Sequence, residues 1–255
     1  MRIAFSGTAN SGKTTLLKSF LHTWKNFETP EKTYRDVLKE ENLEHSTSTT
    51  TDTQSSIMNH MIDTQHKYGK DAKVVYDRCP LDCLAYTLWC NGKGKDDFTS
   101  EYVTEQIALC RESMRSLDII FICKFDPKQQ VEDNGVREID LQYIKEVDNI
   151  FGSLYEQYSQ HSDADVFYPK DDSPAIIVLP NDMQRRVDLI AEYITPDGGM
   201  YGEEESILNP ANLTELEQLI KQQQGALDAD NKEKELFKKF GLGEDIGKDN
   251  PFLKN

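Results

Sequence analysis

Residues 2–14 read RIAFSGTANSGKT, and this stretch decides the fold. A short apolar run comes first, and it is followed by Gly7, Gly12, Lys13 and Thr14 in the pattern G-x-x-x-x-G-K-[ST]. The glycines let a loop turn tightly around a phosphate group, and they let backbone N–H groups point inward. The amphipathic stretch from 13 to 25 predicts a helix whose N-terminal dipole points at the same anion.

This loop predicts a site for a nucleoside triphosphate, and ATP is the expected cofactor. Lys13 is expected to reach the β- and γ-phosphates, and the Thr14 hydroxyl is expected to help hold Mg²⁺. The other loop residues expected to contact the nucleotide are Gly7, Asn10, Ser11, Gly12 and Thr15. The alternative is a glycine turn that carries an exposed lysine.

Apolar and amphipathic segments alternate along the first three quarters of the chain. After the first strand, buried strands are predicted at 73–77, within LDIIFICKF at 117–125, and at 175–180. The segment TYRDVL at 33–38 is a candidate second strand. Helices are predicted between them, including 81–89, 100–116, 140–158 and 183–194. Strands that are apolar throughout indicate a parallel sheet covered on both faces. The predicted fold class is therefore α/β: a P-loop NTPase three-layer sandwich with a mostly parallel sheet of about five strands.

The segment VVYDRCPLD places Asp77 and Arg78 at the carboxyl end of a predicted strand, where ligands bind in such sheets. Asp77 could hold Mg²⁺, directly or through water, or accept a proton from an attacking hydroxyl. Arg78 could bind a phosphate or orient the acceptor. The alternative is a carboxylate at a helix N-terminus that pairs with an arginine and stabilises the turn. Asp82 could belong to the functional site, or it could lie on the surface of the following helix.

A polar loop, VEDNGVRE at 131–138, lies between the third buried strand and the long helix, and it contains Arg137. Small P-loop kinases commonly carry a mobile lid here. A lid arginine neutralises charge on the transferring phosphoryl group, and closure of the lid excludes water. Asp133 could bind the acceptor or brace the lid. The alternative is an exposed loop with an ordinary surface arginine.

The segment VLPNDMQRR follows the last predicted strand, at a turn that packs on the adenine base in many P-loop kinases. Asn181 could contact the edge of the base, and Arg185 could stack on it. In the alternative interpretation, Asn181 or Asp182 caps the helix predicted at 183–194. The two interpretations are compatible.

The composition limits the possible partners. A net charge of −16 disfavours broad binding to nucleic acid, although a local basic groove would still allow it. Five cysteines, mostly in apolar segments, predict reduced thiols and a cytoplasmic location. No apolar run approaches the roughly 20 residues that span a bilayer, so no membrane partner is predicted. The five histidines form no metal-binding spacing, and the oligomeric state is left open.

Four segments considered together, IAFSGTANSGKTTL, YDRCPLDCLAY, VEDNGVRE and EVDNIF, resemble the P-loop kinase-like AAA-type domain family that includes the nicotinamide riboside kinase domain. Phage-encoded members of that family are the most similar. The resemblance covers about residues 1–195. Deoxynucleoside kinases have a comparable strand end, but they continue with serine where this chain has Cys79.

The resemblance implies a role for each matching residue. Lys13 and Thr14 would bind the triphosphate and Mg²⁺. Asp77, with Arg78 beside it, would serve the metal or the acceptor hydroxyl, and Arg137 would be the lid arginine. Lys13, Asp77, Arg78 and Arg137 are thus the predicted catalytic residues, and Thr14 and Asp77 are the predicted metal ligands.

The first functional hypothesis is an ATP-dependent kinase of a nucleoside, nucleotide or related metabolite. The second places the acceptor on DNA, as a hydroxymethylated base of a phage genome, which the negative charge disfavours. The third is a nucleotide-dependent switch or scaffold without a small-molecule acceptor. For a phage-encoded chain, the location would be the host cytoplasm.

Two domains are predicted. Residues 1–195 would form the P-loop kinase domain, because the regular pattern stops near 194 at TPDGGMYGEEE. Residues 196–255 would form a helical, partly flexible C-terminal appendage. Its helical segments, near 211–223 and 230–240, are too short for an independent core.

Overall fold

The computed structural model describes residues 1–44, 46–128, 140–160 and 164–201. Met1–Met200 form one compact unit. The predicted lid at 131–138, with Asp133 and Arg137, lies outside the described residues, and so do the predicted helices of the C-terminal appendage. The predicted domain boundary at residue 195 stays a prediction.

The described part of the chain contains one sheet of four parallel strands. They are β1 (Arg2–Ser6), β2 (Val74–Asp77), β3 (Ile119–Cys123) and β4 (Ala175–Leu179). Their order across the sheet is β2-β1-β3-β4, and all three pairings are parallel. The first strand is therefore central, and the loop that follows it emerges between the carboxyl ends of β2 and β3.

The candidate second strand at 33–38 is wrong, because this segment begins a helix. Thr33 donates from its backbone N–H and from its hydroxyl to the Asp36 carboxylate, each at 2.8 Å. Thr33 and Asp36 occupy the N-cap and N3 positions of a capping box, and the Asp36 carboxylate satisfies the backbone N–H of Thr33 at the start of the helix. The local hydrogen bonds outweigh the strand preference suggested by the apolar residues that follow.

Eight helices occur in the described residues, and six of them lie near predicted helices, whereas those at 34–40 and 164–167 were not predicted as helices. They are α1 (Lys13–Thr23), α2 (Tyr34–Glu40), α3 (Thr51–His66), α4 (Pro80–Gly92), α5 (Ser100–Ser113), α6 (Leu141–Gln160), α7 (Ala164–Phe167) and α8 (Met183–Ala191). Short 3-10 turns form at Ser46–Ser48 and Met114–Ser116. The third helix is capped by Thr50, whose hydroxyl accepts the Thr53 N–H at 3.2 Å. None of the described helices is long and apolar enough to cross a membrane.

The core lies on both faces of the sheet, which confirms the predicted three-layer architecture. Successive strand residues point to opposite faces. Ala4, for example, packs into a cluster with apolar residues of α3, α4, α5 and α6, whereas Ile3 and Phe5 pack against α1 and α8. All five cysteines are buried free thiols. Burial raises the pKa of the Cys123 thiol to about 11.

Candidate active site

The loop between β1 and α1 requires glycine at its first position. Gly7 has a φ of +132°, and a Cβ there would lie 2.3 Å from the Cys123 carbonyl oxygen. The loop therefore passes directly over the end of β3. Gly12, with a φ of +82°, ends the loop at the start of α1. Both positions use the freedom of glycine at positive φ.

Three other residues of this loop were predicted to contact the nucleotide. Asn10 has a φ of 57°, in the left-handed region that asparagine tolerates better than most residues. Ser11 is buried, and its hydroxyl donates to the Thr8 carbonyl at 3.0 Å. Thr15 is exposed on the first turn of α1. The structure places all three on or beside the loop, and their contacts with a nucleotide stay a prediction.

Lys13 is buried against the loop that precedes it. Its Nζ donates to the carbonyl oxygens of Gly7 at 2.8 Å and Thr8 at 2.5 Å, and to the Ser11 hydroxyl at 3.1 Å. Burial, together with the nearby positive charge of Arg78, lowers the pKa of Lys13 to about 8. The ammonium is thus held within the loop between β1 and α1 by that loop's own oxygens.

The two predicted metal ligands, Thr14 and Asp77, lie side by side. The Thr14 hydroxyl donates to the Asp77 carboxylate at 3.0 Å, which links the first turn of α1 to the end of β2. The described residues contain no cluster of three or more histidine, cysteine or acidic groups that could hold a metal by themselves. One hydroxyl and one carboxylate fit Mg²⁺, which typically keeps several waters and also binds phosphate oxygens.

Asp82 is buried against the loop that follows β1, so the interpretation that places it on a helix surface is wrong. Its side chain is 1% exposed and accepts four hydrogen bonds. The donors are Ser6 Oγ at 2.7 Å, Gly7 N at 3.3 Å, Arg78 Nη1 at 2.6 Å and Cys79 N at 3.1 Å. One carboxylate thus joins the end of β1, the anion-binding loop and the start of α4.

Arg78 is engaged with the protein itself. It has a φ of 84°, uncommon for a residue with a side chain, and it is buried. Its Nη1 donates to the Gly7 carbonyl at 3.1 Å in addition to Asp82. Its guanidinium carbon lies 5.2 Å from the centroid of the Tyr34 ring and 5.5 Å from that of Tyr86. The carboxylate that pairs with Arg78 is Asp82, whereas Asp77 bonds to Thr14.

The turn after β4 lines a cleft beside the anion-binding loop. Asp182 caps α8, since its carboxylate accepts the Arg185 N–H at 2.9 Å, whereas Asn181 precedes the cap and is exposed. The cleft has a volume of about 480 Å³. Its lining residues are Asp126, Pro127, Lys128, Pro180, Asn181, Asp182 and Arg185. The structure therefore brings Asn181 and Arg185 to one cleft and also shows the helix cap.

One residue in this region was missed by the sequence analysis. Arg186 is 2% exposed, and its guanidinium donates to the carbonyl oxygens of Pro180 at 2.6 Å, Ser11 at 2.6 Å and Lys124 at 3.1 Å. Its spacing carried a signal, since it lies four residues before the buried Ile190 and therefore on the same helix face. The adjacent Arg185 is exposed.

The family model described as an AAA domain matches residues 2–162, which is more than half of the chain. The chain belongs to the AAA domain family. A comparison of this AAA domain with curated proteins finds no match.

Solved structures share the fold of this AAA domain at low sequence identity. Deoxyadenosine kinase from M. mycoides, with dCMP and dCDP bound, has a TM-score of 0.52 and 13% identity over 74% of this chain and 96% of that one. NadR in complex with NR has a TM-score of 0.54 and 15% identity over 80% of this chain and 53% of NadR. NadR in complex with NAD and AMP-PNP matches with a TM-score of 0.50 and 15% identity over 75% of this chain and 49% of NadR. These likenesses show a P-loop kinase fold.

Proposed function

We propose that this AAA domain is an ATP-dependent phosphotransferase that moves the γ-phosphoryl group of ATP to a nucleoside, nucleotide or related metabolite. The observation that carries the proposal is the meeting of Lys13, Thr14 and Asp77 at the carboxyl edge of the sheet. Phosphoryl transfer depends almost entirely on positioning and on stabilising charge, and these groups supply both. The fold likeness to a deoxyadenosine kinase agrees with this class of reaction.

The loop residues would hold the triphosphate. Backbone N–H groups from Thr8 to Thr14 would surround the β-phosphate, and the Lys13 ammonium would exchange its loop carbonyl partners for phosphate oxygens. Thr14 and Asp77 would hold Mg²⁺, which would neutralise charge on the β- and γ-phosphates. The base would enter the cleft beside Asn181 and Arg185.

The acceptor would lie between Asp77 and the start of α2. Tyr34 begins that helix, and the contact of its ring with Arg78 brings the helix to the end of β2. A hydroxyl placed there would be within reach of Asp77, which would orient it or accept its proton. Arg78 would position this edge through the Gly7 carbonyl. Arg137 stays the predicted lid arginine, and a phage origin and a location in the host cytoplasm likewise stay predictions.

A transfer assay tests the proposal. The full chain is incubated with γ-labelled ATP, Mg²⁺ and a panel of nucleosides, nucleoside monophosphates, nicotinamide riboside and DNA that contains hydroxymethylated bases. Label on one small metabolite is the expected result. Label on DNA alone would favour the second hypothesis. Slow hydrolysis that no acceptor accelerates would favour the switch or scaffold.

The affinity for ATP is expected to fall as the pH rises above about 8. In the free protein, the Lys13 ammonium has a pKa of about 8, so above that pH a growing fraction is neutral. Binding of the anion then requires uptake of a proton, which weakens the apparent affinity by up to about tenfold per pH unit. Calorimetric titrations from pH 7 to 9.5, in buffers of different ionisation enthalpy, measure the affinity for ATP and the number of protons taken up on binding. A pH-independent affinity would contradict the role of Lys13, and K13M should remove the dependence.

A further inference from the structure

Arg186 connects three segments around the candidate ATP site, although no part of the proposed chemistry uses it. It lies on α8, and its guanidinium reaches the anion-binding loop at Ser11, the turn after β4 at Pro180, and the segment after β3 at Lys124. We infer that Arg186 is a positioning residue for the nucleotide, one that orients the loop's amides and ties the loop to the base cleft. This inference rests on the proposed use of ATP.

The contact with Ser11 sets the direction of one peptide group. In a planar trans peptide, the C=O and the following N–H point in opposite directions. Arg186 Nη1 holds the Ser11 carbonyl oxygen at 2.6 Å, and it lies 3.2 Å from the place that a Cβ on Gly12 would occupy. Because that oxygen points toward α8, the Gly12 N–H points away from it. The arginine therefore fixes the peptide group between Ser11 and Gly12.

The charge of Arg186 supports a role toward an anion. The guanidinium is buried, and no carboxylate of the described residues forms a salt bridge with it. Arg78, the other buried arginine next to this loop, pairs with Asp82. A buried cation that has only backbone carbonyls as partners is costly, since those dipoles offset its lost hydration only in part. A polyphosphate bound in the adjacent loop would compensate the charge of Arg186.

The two other contacts tie the phosphate loop to the base cleft. Pro180 lines the cleft, and Lys124 lies two residues before Asp126, which also lines it. A guanidinium can hold three carbonyl oxygens in different directions because its five N–H groups are fixed in one plane. A lysine ammonium at the end of a flexible chain cannot reproduce that arrangement. Arg186 therefore joins the base cleft and the phosphate loop through one side chain.

The decisive variants are R186K and R186M, with Q184A as the matched control on the exposed face of the same helix. Gln184 is exposed, its side-chain amide donates to Asp188 at 2.9 Å, and it lies outside the proposed site. Thermal unfolding without ligand establishes that each variant is folded, and calorimetry then measures Kd for ATP with Mg²⁺ and for inorganic tripolyphosphate. We expect R186K to weaken both ligands at least about tenfold, with KM for ATP rising more than kcat falls. Q184A should bind like the wild type.

Folded R186K that binds ATP as the wild type does would overturn the inference. Failure of the wild type itself to bind ATP would instead refute the proposed function. A measurement on the wild type removes any dependence on the folding of the variants. Hydrogen exchange at the Gly12 amide is expected to slow when tripolyphosphate binds, because the orientation that we infer for this peptide group directs its N–H toward the bound anion. Unchanged exchange at saturating tripolyphosphate would contradict the inference.

Discussion

Replacing Lys13 with methionine is expected to lower kcat/KM for phosphoryl transfer by at least about 100-fold, the usual effect of removing one charged or hydrogen-bonding group that stabilises a transition state. The ammonium is buried within the anion-binding loop and donates to Gly7, Thr8 and Ser11. Methionine keeps much of the length and volume of the side chain but removes the charge. Because burial already disfavours that charge, the chain should remain folded.

The control for this variant is K18M. Lys18 is exposed on the same helix and lies outside the site, so its replacement removes an equal charge from α1. Kinetics with the acceptor identified by the labelling panel, together with thermal unfolding of both variants, make the comparison. Full activity of K13M would refute the role of Lys13. Equal losses in K13M and K18M would show that the effect arises from net charge.

Replacing Asp82 with alanine is expected to lower the free energy of unfolding by about 3–5 kcal/mol, the typical loss when one partner of a buried ion pair is removed. The change would leave the Arg78 guanidinium buried without its carboxylate. It would also leave the Ser6 hydroxyl and the Gly7 and Cys79 amides without their acceptor. Urea denaturation monitored by fluorescence measures the loss.

The matched variant is D77N. Asp77 lies five residues earlier, and its bond to Thr14 is exposed, so D77N should unfold close to the wild type. Its phosphoryl transfer should nevertheless fall steeply, because the carboxylate proposed for Mg²⁺ and the acceptor is lost. We thus expect D82A to lower mainly the stability of the protein and D77N to lower mainly its phosphoryl transfer. A D82A variant as stable as the wild type, or a fully active D77N, would contradict these assignments.

The central features of the fold followed from local sequence patterns. The glycine spacing before Lys13 is typical of a phosphate-binding loop. Strands that are buried on both faces must be apolar throughout. The segment at 33–38 contains Tyr34 and Val37, which favour a strand, but the capping pair of Thr33 and Asp36 starts a helix there. Hydrogen-bond capacity at a helix start can outweigh strand propensity.

The supporting residues of the site were harder to find than the loop itself. The bonds of Asp82 and Arg186 reach residues 75 and 175 positions away in the chain, so no local pattern identifies their partners, although the spacing of Arg186 from Ile190 indicates a buried helix face. Arg185 and Arg186 are adjacent and identical in type, and only the rotation of α8 decides that the second is buried. The ends of predicted strands and the spacing of glycines in a loop predict where a site lies. The hydrogen bonds that support such a site depend on tertiary packing.

The buried carboxylate of Asp82 has a consequence for how the protein unfolds on heating. Strand, loop and helix all converge on that one group, so none of them can loosen without disturbing the others. Gradual fraying of the catalytic edge at temperatures below melting is therefore disfavoured. On heating, ATP binding and the global structure should vanish in a single concerted transition.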